Sequence, residues 1–500
     1  MLLVSKSKLP LETLLVLCIS CLYFFLLLYE DATPISLDGY YHYKFAFLMW
    51  EEGVFWKDVS WLPYTVLGDN GVDHHWFFHL LIAPIAGLFS GSEDGLLFAT
   101  ALVGAIAPAG VYLFLRLVKF PYALLITLAV IFSHDFLPTR FLMLRMQPIA
   151  LVIFIFAIYF LCCRYYLAQF ILAFAALNFY HGGILLLFIL GVWLLLDYFY
   201  HKKIDLKPFI AVLGGLLAAL IINPWYPNTI EYLMFHTIYK VFQSLHVESG
   251  VEWYPFPINL FLSFSWIAHV GMLVALLVLL WLYRIQKLKA VQPLSLMFFV
   301  IACLFLLMYF KSMRFLSFYG PFSILALSFL LFDFIRITKY RLLPFRIQYV
   351  LPVIFTFTAC YGLFSGSQLV LKGVRTNEMK EFKAVGQYID LYSKPGDLVF
   401  NANWSDFVKI FWFSTKVNVI NGLDPHYLAY QNWDKYKLWA NLAVGNFDDS
   451  VDVIKILKKD LGVRWVTADQ VSKKMVEKLF DAPSAHMILA TETHVLFEIK

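Results

Sequence analysis

The residues able to do chemistry sit in a few short polar stretches between long apolar runs. The first is Leu37-Asp38-Gly39-Tyr40-Tyr41-His42, soon after an apolar run at 11–29. An ionised carboxylate near the end of a membrane-length run is costly unless it is solvated, paired or metal-bound. Asp38 therefore reads as a metal ligand or as a base that activates an acceptor. The plainer alternative is a helix cap, with Gly39 ending the run. The same region continues to Asp73-His74-His75 and His79. His75 and His79 are one helical turn apart, so Asp73, His75 and their neighbours could hold a divalent cation. Histidines beside Trp76 and Phe77 equally suit anchoring at a headgroup boundary.

Three later stretches add carboxylates and cations. His134-Asp135 and Arg140, with Arg145 and Gln147 following, put one carboxylate and two guanidiniums in one short loop. Arginine forks suit phosphate, although arginines beside apolar runs also snorkel to the interface. Residues 223–258 hold Glu231, His236, His246, Glu248 and Glu252 among aromatics. A loop this long is functional or disordered, and this one is too apolar for disorder. Glu248, in Leu245-His246-Val247-Glu248, is the second candidate catalytic carboxylate. Lys311-Ser312-Met313-Arg314-Phe315 places two cations at a helix mouth, where they would stabilise a phosphate or pyrophosphate leaving group.

The elements that must position these residues are membrane helices. The composition is 61% hydrophobic and 15% charged over 500 residues, against about half and a quarter in soluble domains, and mean hydropathy is +0.72. Net charge is +5, with the basic residues in short loops rather than on one face, which argues against nucleic acid. The six cysteines all lie in apolar runs, so neither a disulfide framework nor a zinc site is expected. The first run lacks a small-residue cleavage site and reads as a retained span. Spans are expected near 11–29, 96–115, 122–133, 148–163, 167–180, 183–200, 208–222, 259–283, 292–310, 315–333 and 347–365, about 11 in all. The short histidine-led run 76–90, with Pro84, reads as interfacial or re-entrant.

With the N-terminus inside, the inner loops collect Arg116, Lys119, Arg164, Lys202, Lys203, Lys207, Arg284, Lys287, Lys289, Arg336, Lys339, Arg341 and Arg346. That asymmetry orients the chain with its N-terminus cytoplasmic. Residues 30–95, 134–147, 223–258 and the tail then share the outer face. The expected organisation is a transmembrane domain over 1–365 and a soluble extracytoplasmic α/β domain over 366–500. In the tail, strands are expected at 397–401, 417–420, 463–468 and as a final pair within 487–499. Helices are expected at 377–392, 449–460 and 472–480.

In this order the residues resemble the catalytic subunit of oligosaccharyltransferases, and more broadly the integral-membrane glycosyltransferases of GT-C fold that use lipid-linked sugars. Asp38 in Leu-Asp-Gly-Tyr-Tyr looks like the family's first-loop catalytic aspartate. Leu245-His246-Val247-Glu248 resembles the short motif whose glutamate helps hold metal and acceptor. Met313-Arg314-Phe315, with Tyr319-Gly320-Pro321, is similar to the segment whose arginine binds the lipid pyrophosphate. Asn403-Trp404-Ser405-Asp406-Phe407 resembles a degraded acceptor-recognition motif, which implies acceptor contacts from Trp404 and Asp406. The family's D-x-D pair is replaced by Leu144-Arg145-Met146-Gln147-Pro148. Asp135, or Asp73 with His75, would have to stand in.

The resemblance implies inverting transfer of a sugar or oligosaccharide from a polyprenyl-phosphate or -pyrophosphate carrier to a protein or glycan acceptor. Asp38 would orient or deprotonate the acceptor. Glu248, with Asp135 or with Asp73 and His75, would hold Mg²⁺ or Mn²⁺. Arg314 and Lys311, with Arg145, would neutralise the carrier phosphate. The competing class is a transporter or flippase of a lipid-linked substrate, which should show repeated halves and mid-membrane charges; the sequence shows neither.

Overall fold

A computed structural model describes residues 8–29, 34–243, 245, 247–248, 250–338, 347–372, 378–469 and 472–500. His246 and the basic residues Lys339, Arg341 and Arg346 lie outside the described residues. The chain forms two compact units, one from residues up to 35, 97–219 and 252–374, the other from 36–96, 220–251 and 375–500.

The first unit is helical. Among the described residues seven helices are long and apolar enough to cross a membrane: Leu9–Tyr29, Glu93–Leu117, His181–His201, Trp266–Arg284, Pro293–Lys311, Met313–Thr338 and Pro352–Lys372. The chain is an integral membrane protein. The remaining runs read as spans give shorter helices. Gln147–Cys163, Tyr166–Phe179 and Lys207–Ile221 have 10–17 residues, and Ala123–Ile131 has nine, against roughly 20 for a crossing. The most buried helix is Met313–Thr338. Aromatic layers hold it, including Phe298 on Phe329 at 5.1 Å and Phe305 on Phe318 at 5.1 Å. Ser323, Ser328 and Asp333 are satisfied locally, as hydrocarbon requires. Ser323 and Ser328 donate to the carbonyls four residues back. Asp333 accepts from Gln292 N and Ser295 Oγ at the start of the preceding helix. Leu195, Leu273, Leu280, Leu307 and Val353 stay more than half exposed, an apolar surface suited to lipid.

The second unit is built on a five-stranded mixed sheet in the order β2-β1-β3-β5-β4. The strands are β1 (Leu398–Asn401), β2 (Asn418–Val419), β3 (Trp465–Asp469), β4 (Ala485–Ala490) and β5 (His494–Ile499). β1 runs parallel to β2 and β3, while β5 is antiparallel to β3 and β4. β1 is buried at every position, as expected of a strand covered on both faces. Phe400, Trp439, Val466, Leu479 and Phe497 fill one side. The tail's α/β layering follows the sequence pattern closely, but the helices Asp406–Phe413, Pro425–Gln431 and Trp433–Val444 were not foreseen.

Residues 36–96 are helical rather than a loop. Leu37–Glu52 opens with Ser36, whose side chain accepts from Asp38 N, and closes on Gly53 in the left-handed region (φ 65°). Gly39 therefore lies inside a helix instead of ending one. This helix packs on Asp406–Phe413 through Tyr40 against Trp412 at 4.9 Å. Val419 N donates to Trp61 O at 2.8 Å, and Trp61 Nε1 donates to Thr415 O at 2.9 Å, so residue 61 is fastened to the edge strand β2 and the turn before it.

Candidate functional site

In the first unit, backbone stitching builds a charge cluster. Ser312 ends the helix Pro293–Lys311 in extended geometry, and its Oγ both accepts from Arg314 N and donates to Glu252 O at 2.7 Å. Met313 N donates to Tyr254 O at 3.0 Å. Segments 252–254 and 312–314 are thereby locked together. Arg140 comes from the short helix Leu137–Phe141. Arg145 follows Leu144, whose left-handed backbone (φ 46°) turns the chain toward the helix Gln147–Cys163.

All three arginines meet on one carboxylate. Glu252 Oε2 accepts from Arg140 Nη1 and Arg145 Nη1, each at 2.5 Å, and Oε1 pairs with Arg314 Nη2. Arg314 also lies 3.8 Å from the ring centre of Trp253. The side chains of Arg140, Arg145 and Glu252 are 4%, 14% and 13% exposed, so these charges interact with little screening. Burial pushes the Glu252 carboxyl up, but Arg145, Arg314 and Arg140 together hold it well below the usual range. Among the contacts described, three guanidiniums share one carboxylate, so cations outnumber acids around it. Nε and Nη2 of Arg140 and Nε of Arg314 are buried without a hydrogen-bond partner among the described residues. Buried guanidinium N–H groups of this kind are chemically suited to an anionic acceptor. Lys311 is exposed at the end of its helix. Asp135, in the same unit, is buried and accepts from Ser365 Oγ at 2.6 Å; burial raises its carboxyl pKa.

The second unit carries a buried chain of imidazoles. Asp38 lies in the first turn of Leu37–Glu52, where the helix dipole favours a carboxylate. His42 follows four residues later on the same face. Asp73 Oδ2 accepts from His79 Nδ1 at 2.6 Å, and His79 Nε2 meets His42 Nδ1 at 2.8 Å. A carboxylate only accepts, so Nε2 of a neutral His79 accepts a hydrogen bond from His42 Nδ1–H. His42 is then left with Nε2 as its basic nitrogen. Asp73 Oδ1 accepts from His75 N at 2.9 Å, so Asp73 orients the histidines with both its oxygens. The rings of His42 and His75 lie 5.2 Å apart. Among the described residues His74 and His75 belong to a group whose ligand atoms lie within 4.8 Å of one another, whereas Asp38 and His42 do not.

Residues 220–251 are tied to the tail nearby. Lys240 and Asp424, both buried, pair at 2.5 Å. Tyr232, His236 and Tyr427 bond one another at 2.5–3.2 Å, with His74 stacked 4.7 Å from Tyr232. Glu248 is exposed, and its carbonyl accepts from Trp404 Nε1 at 3.2 Å. Asp406 is fully buried; its Oδ1 is shared by Lys409 at 2.9 Å and His494 at 3.3 Å. That carboxylate pins a helix start to β5.

No protein family and no curated protein matches this sequence. Solved structures do match. The apo oligosaccharyltransferase of Archaeoglobus fulgidus superposes with TM-score 0.62 at 15% identity, over 93% of this chain and 70% of that one. AglB of the same organism, in complex with an inhibitory peptide and a dolichol-phosphate, gives 0.52 at 14%, over 92% and 69%. ArnT from Cupriavidus metallidurans, bound to undecaprenyl phosphate, gives 0.59 at 13%, over 97% of each.

The fold is that of the GT-C membrane glycosyltransferases. On this GT-C frame the sequence candidates fall into two groups. Arg145, Arg314, Lys311 and Asp135 belong to the first unit, with Arg145 and Arg314 sharing one carboxylate. Asp38, Asp73, His75, Glu248, Trp404 and Asp406 belong to the second. The sequence pattern favours Glu248 and Arg145, whereas the structure joins Arg140 and Glu252 to Arg145 and Arg314. The available signal for Arg140 was its place five residues before Arg145 in a loop with one acid. Nothing local in the sequence distinguished Glu252, four positions after Glu248.

Proposed function

We propose that this protein transfers a sugar or oligosaccharide from a polyprenyl-phosphate or -pyrophosphate carrier to an acceptor on the extracytoplasmic face. The observation that carries the reading is the cluster of Arg140, Arg145 and Arg314 around a single carboxylate. Its excess positive charge suits a carrier phosphate, and the structural relatives bound to dolichol-phosphate and undecaprenyl phosphate support the same ligand class.

In this reading the bond between the anomeric carbon and the carrier phosphate oxygen breaks, and its electron pair leaves with the phosphate. The arginines stabilise the charge as it develops. The acceptor heteroatom forms the new bond to the anomeric carbon and loses its proton to Asp38, with inversion at that carbon. His79 and Asp73 hold the tautomer and orientation of His42 beside it. A divalent cation, with His74 and His75 among its ligands, would supply a Lewis acid. Glu248 and Trp404 lie together on the second unit and are assigned to acceptor positioning. Lys311, exposed, adds to the field that draws the anionic carrier. Asp406 and Asp135 serve structure, holding a helix start and a loop.

The test is transfer from a polyprenyl-phosphate-linked sugar to a panel of peptide, glycan and lipid acceptors, with Asp38→Ala and Arg314→Ala alongside wild type. Both variants should insert and purify normally and lose transfer. Near-wild-type turnover in both ends the assignment.

A further inference from the structure

We propose that the first unit holds an anionic phospholipid in a cavity at the end of its helices opposite the arginine cluster. The cavity measures about 260 Å³, and Arg164, Trp193, Asp197, His201, Leu294 and Met297 are among the residues that line it. Its separation from the carrier site follows from the helices themselves. Gln147–Cys163 begins two residues after Arg145 and ends on Arg164, and its 17 residues span about 26 Å. Pro293–Lys311 begins at the cavity and ends three residues before Arg314; its 19 residues span about 28 Å. Either length is close to one hydrocarbon thickness, so the cavity serves the other leaflet.

The lining is charged in one part and apolar in the rest. Arg164, in left-handed backbone (φ 58°), bridges two acids: Nη2 meets Asp197 at 2.8 Å and Nη1 meets Asp205 at 3.1 Å. His201 Nδ1 meets Asp197 at 2.9 Å. Asp197 and Asp205 are thereby committed to holding cations in place. Lys202 and Lys203, both exposed, follow directly, and Lys202 Nζ lies 5.2 Å from the ring centre of Tyr198. The apolar part is Trp193 and Leu196, with Leu294 and Met297 from the start of Pro293–Lys311. Water would leave this apolar surface uncovered. An acyl chain alone would leave the Arg164 side chain, 42% exposed, facing hydrocarbon. A phosphate with an apolar body satisfies both, and basic pockets between membrane helices take anionic headgroups in this way. The phosphate would lie on Arg164 and the edge formed by Lys202 and Lys203. The glycerol and upper chains would lie on Trp193, Leu294 and Met297. Leu195 beside them is 73% exposed, an apolar path from the cavity into the bilayer.

The experiment adds phosphatidylglycerol, or phosphatidylcholine with the same acyl chains, to the full-length protein in detergent and reads retained lipid by native mass spectrometry. Phosphatidylglycerol should be retained about tenfold more strongly. Leu294→Trp fills the cavity without changing any charge and should abolish that preference, whereas lipid held loosely around the helices would be unaffected. Should this variant fail to accumulate, Lys202→Gln with Lys203→Gln changes only exposed positions. The pair should lower phosphatidylglycerol retention about fivefold or more and leave phosphatidylcholine unchanged. Equal retention of the two lipids by wild type, or a preference that neither variant reduces, overturns the proposal. Release of phosphatidylglycerol by glycerol 3-phosphate would assign the cavity to a soluble phosphate ester and overturn the lipid.

Discussion

Replacing Lys240 by methionine isolates the buried ion pair that ties residues 220–251 to the tail. The side chains of Lys240 and Asp424 are 3% and 6% exposed and meet at 2.5 Å. Removing one partner of a buried pair costs about 3–5 kcal/mol, because the other charge is left in low dielectric. Here Asp424 Oδ1 keeps two donors, His426 N at 2.9 Å and Nδ1 at 2.8 Å. The cost should therefore fall near the lower end, about 3 kcal/mol. At about 2–4 °C per kcal/mol, the melting temperature drops by about 6–12 °C. Asp424→Asn alone should cost a similar amount, since asparagine still caps the helix Pro425–Gln431 but removes the carboxylate charge facing Lys240. The double variant should recover most of the loss, giving a coupling of about 2–3 kcal/mol.

The pH dependence fixes the sign. Burial pushes the Asp424 carboxyl up, but Lys240 and His426 pull it further down, so its folded value lies below the ordinary one. Its contribution is full above about pH 4 and is lost as pH falls through the folded value. Lys240→Met removes the main downward pull, so the gap between variant and wild type should close in acid. The assay is thermal unfolding in detergent, followed by tryptophan fluorescence from pH 7 to pH 3. A change below 2 °C at neutral pH, or a gap that does not narrow in acid, refutes the reasoning.

Other substitutions probe separate links. Arg314→Lys keeps the charge but loses the planar fork and the stacking on Trp253; undecaprenyl phosphate affinity should fall about tenfold, measured by titration. Asp73→Asn frees His79 to take either tautomer, and transfer should slow by about 10–100-fold with little change in acceptor KM. An unaltered rate would remove the imidazole chain from the mechanism. Gly362→Ala places a methyl 2.2 Å from the carbonyl oxygen of Phe132, a backbone atom that cannot swing aside. It should lower stability by about 1–3 kcal/mol, visible as a reduced melting temperature.

The sequence carried the architecture where periodicity is long or repeated. Apolar runs announced the membrane helices, and alternation announced the tail's strands almost to the residue, as at 398–401 and 465–469. It failed where packing overrides local pattern. Residues 37–52 hold enough aromatic and charged side chains to look like a loop, yet Ser36 and Gly53 cap them into a helix against Trp412. Ala123–Ile131 is apolar enough for a span, but stops after nine residues. Within the candidate site, Arg145 and Arg314 could be chosen because arginines beside apolar runs are expensive. Glu252 could not, because its role comes from partners 107 and 112 positions away. Asp406 looked like a surface motif residue for the same reason, its partner His494 being 88 positions distant.

The second unit is assembled from three separated pieces of chain, and Trp61 bonds to a carbonyl 354 positions later. During synthesis the earlier pieces leave the ribosome long before the strands that complete them exist. Until the C-terminal piece emerges, Tyr40 and Trp61 have no Trp412 or Phe411 to cover them. The second unit therefore closes only once residues 375–500 have been made, and a chain stopped before them should be a membrane-inserted but aggregation-prone intermediate.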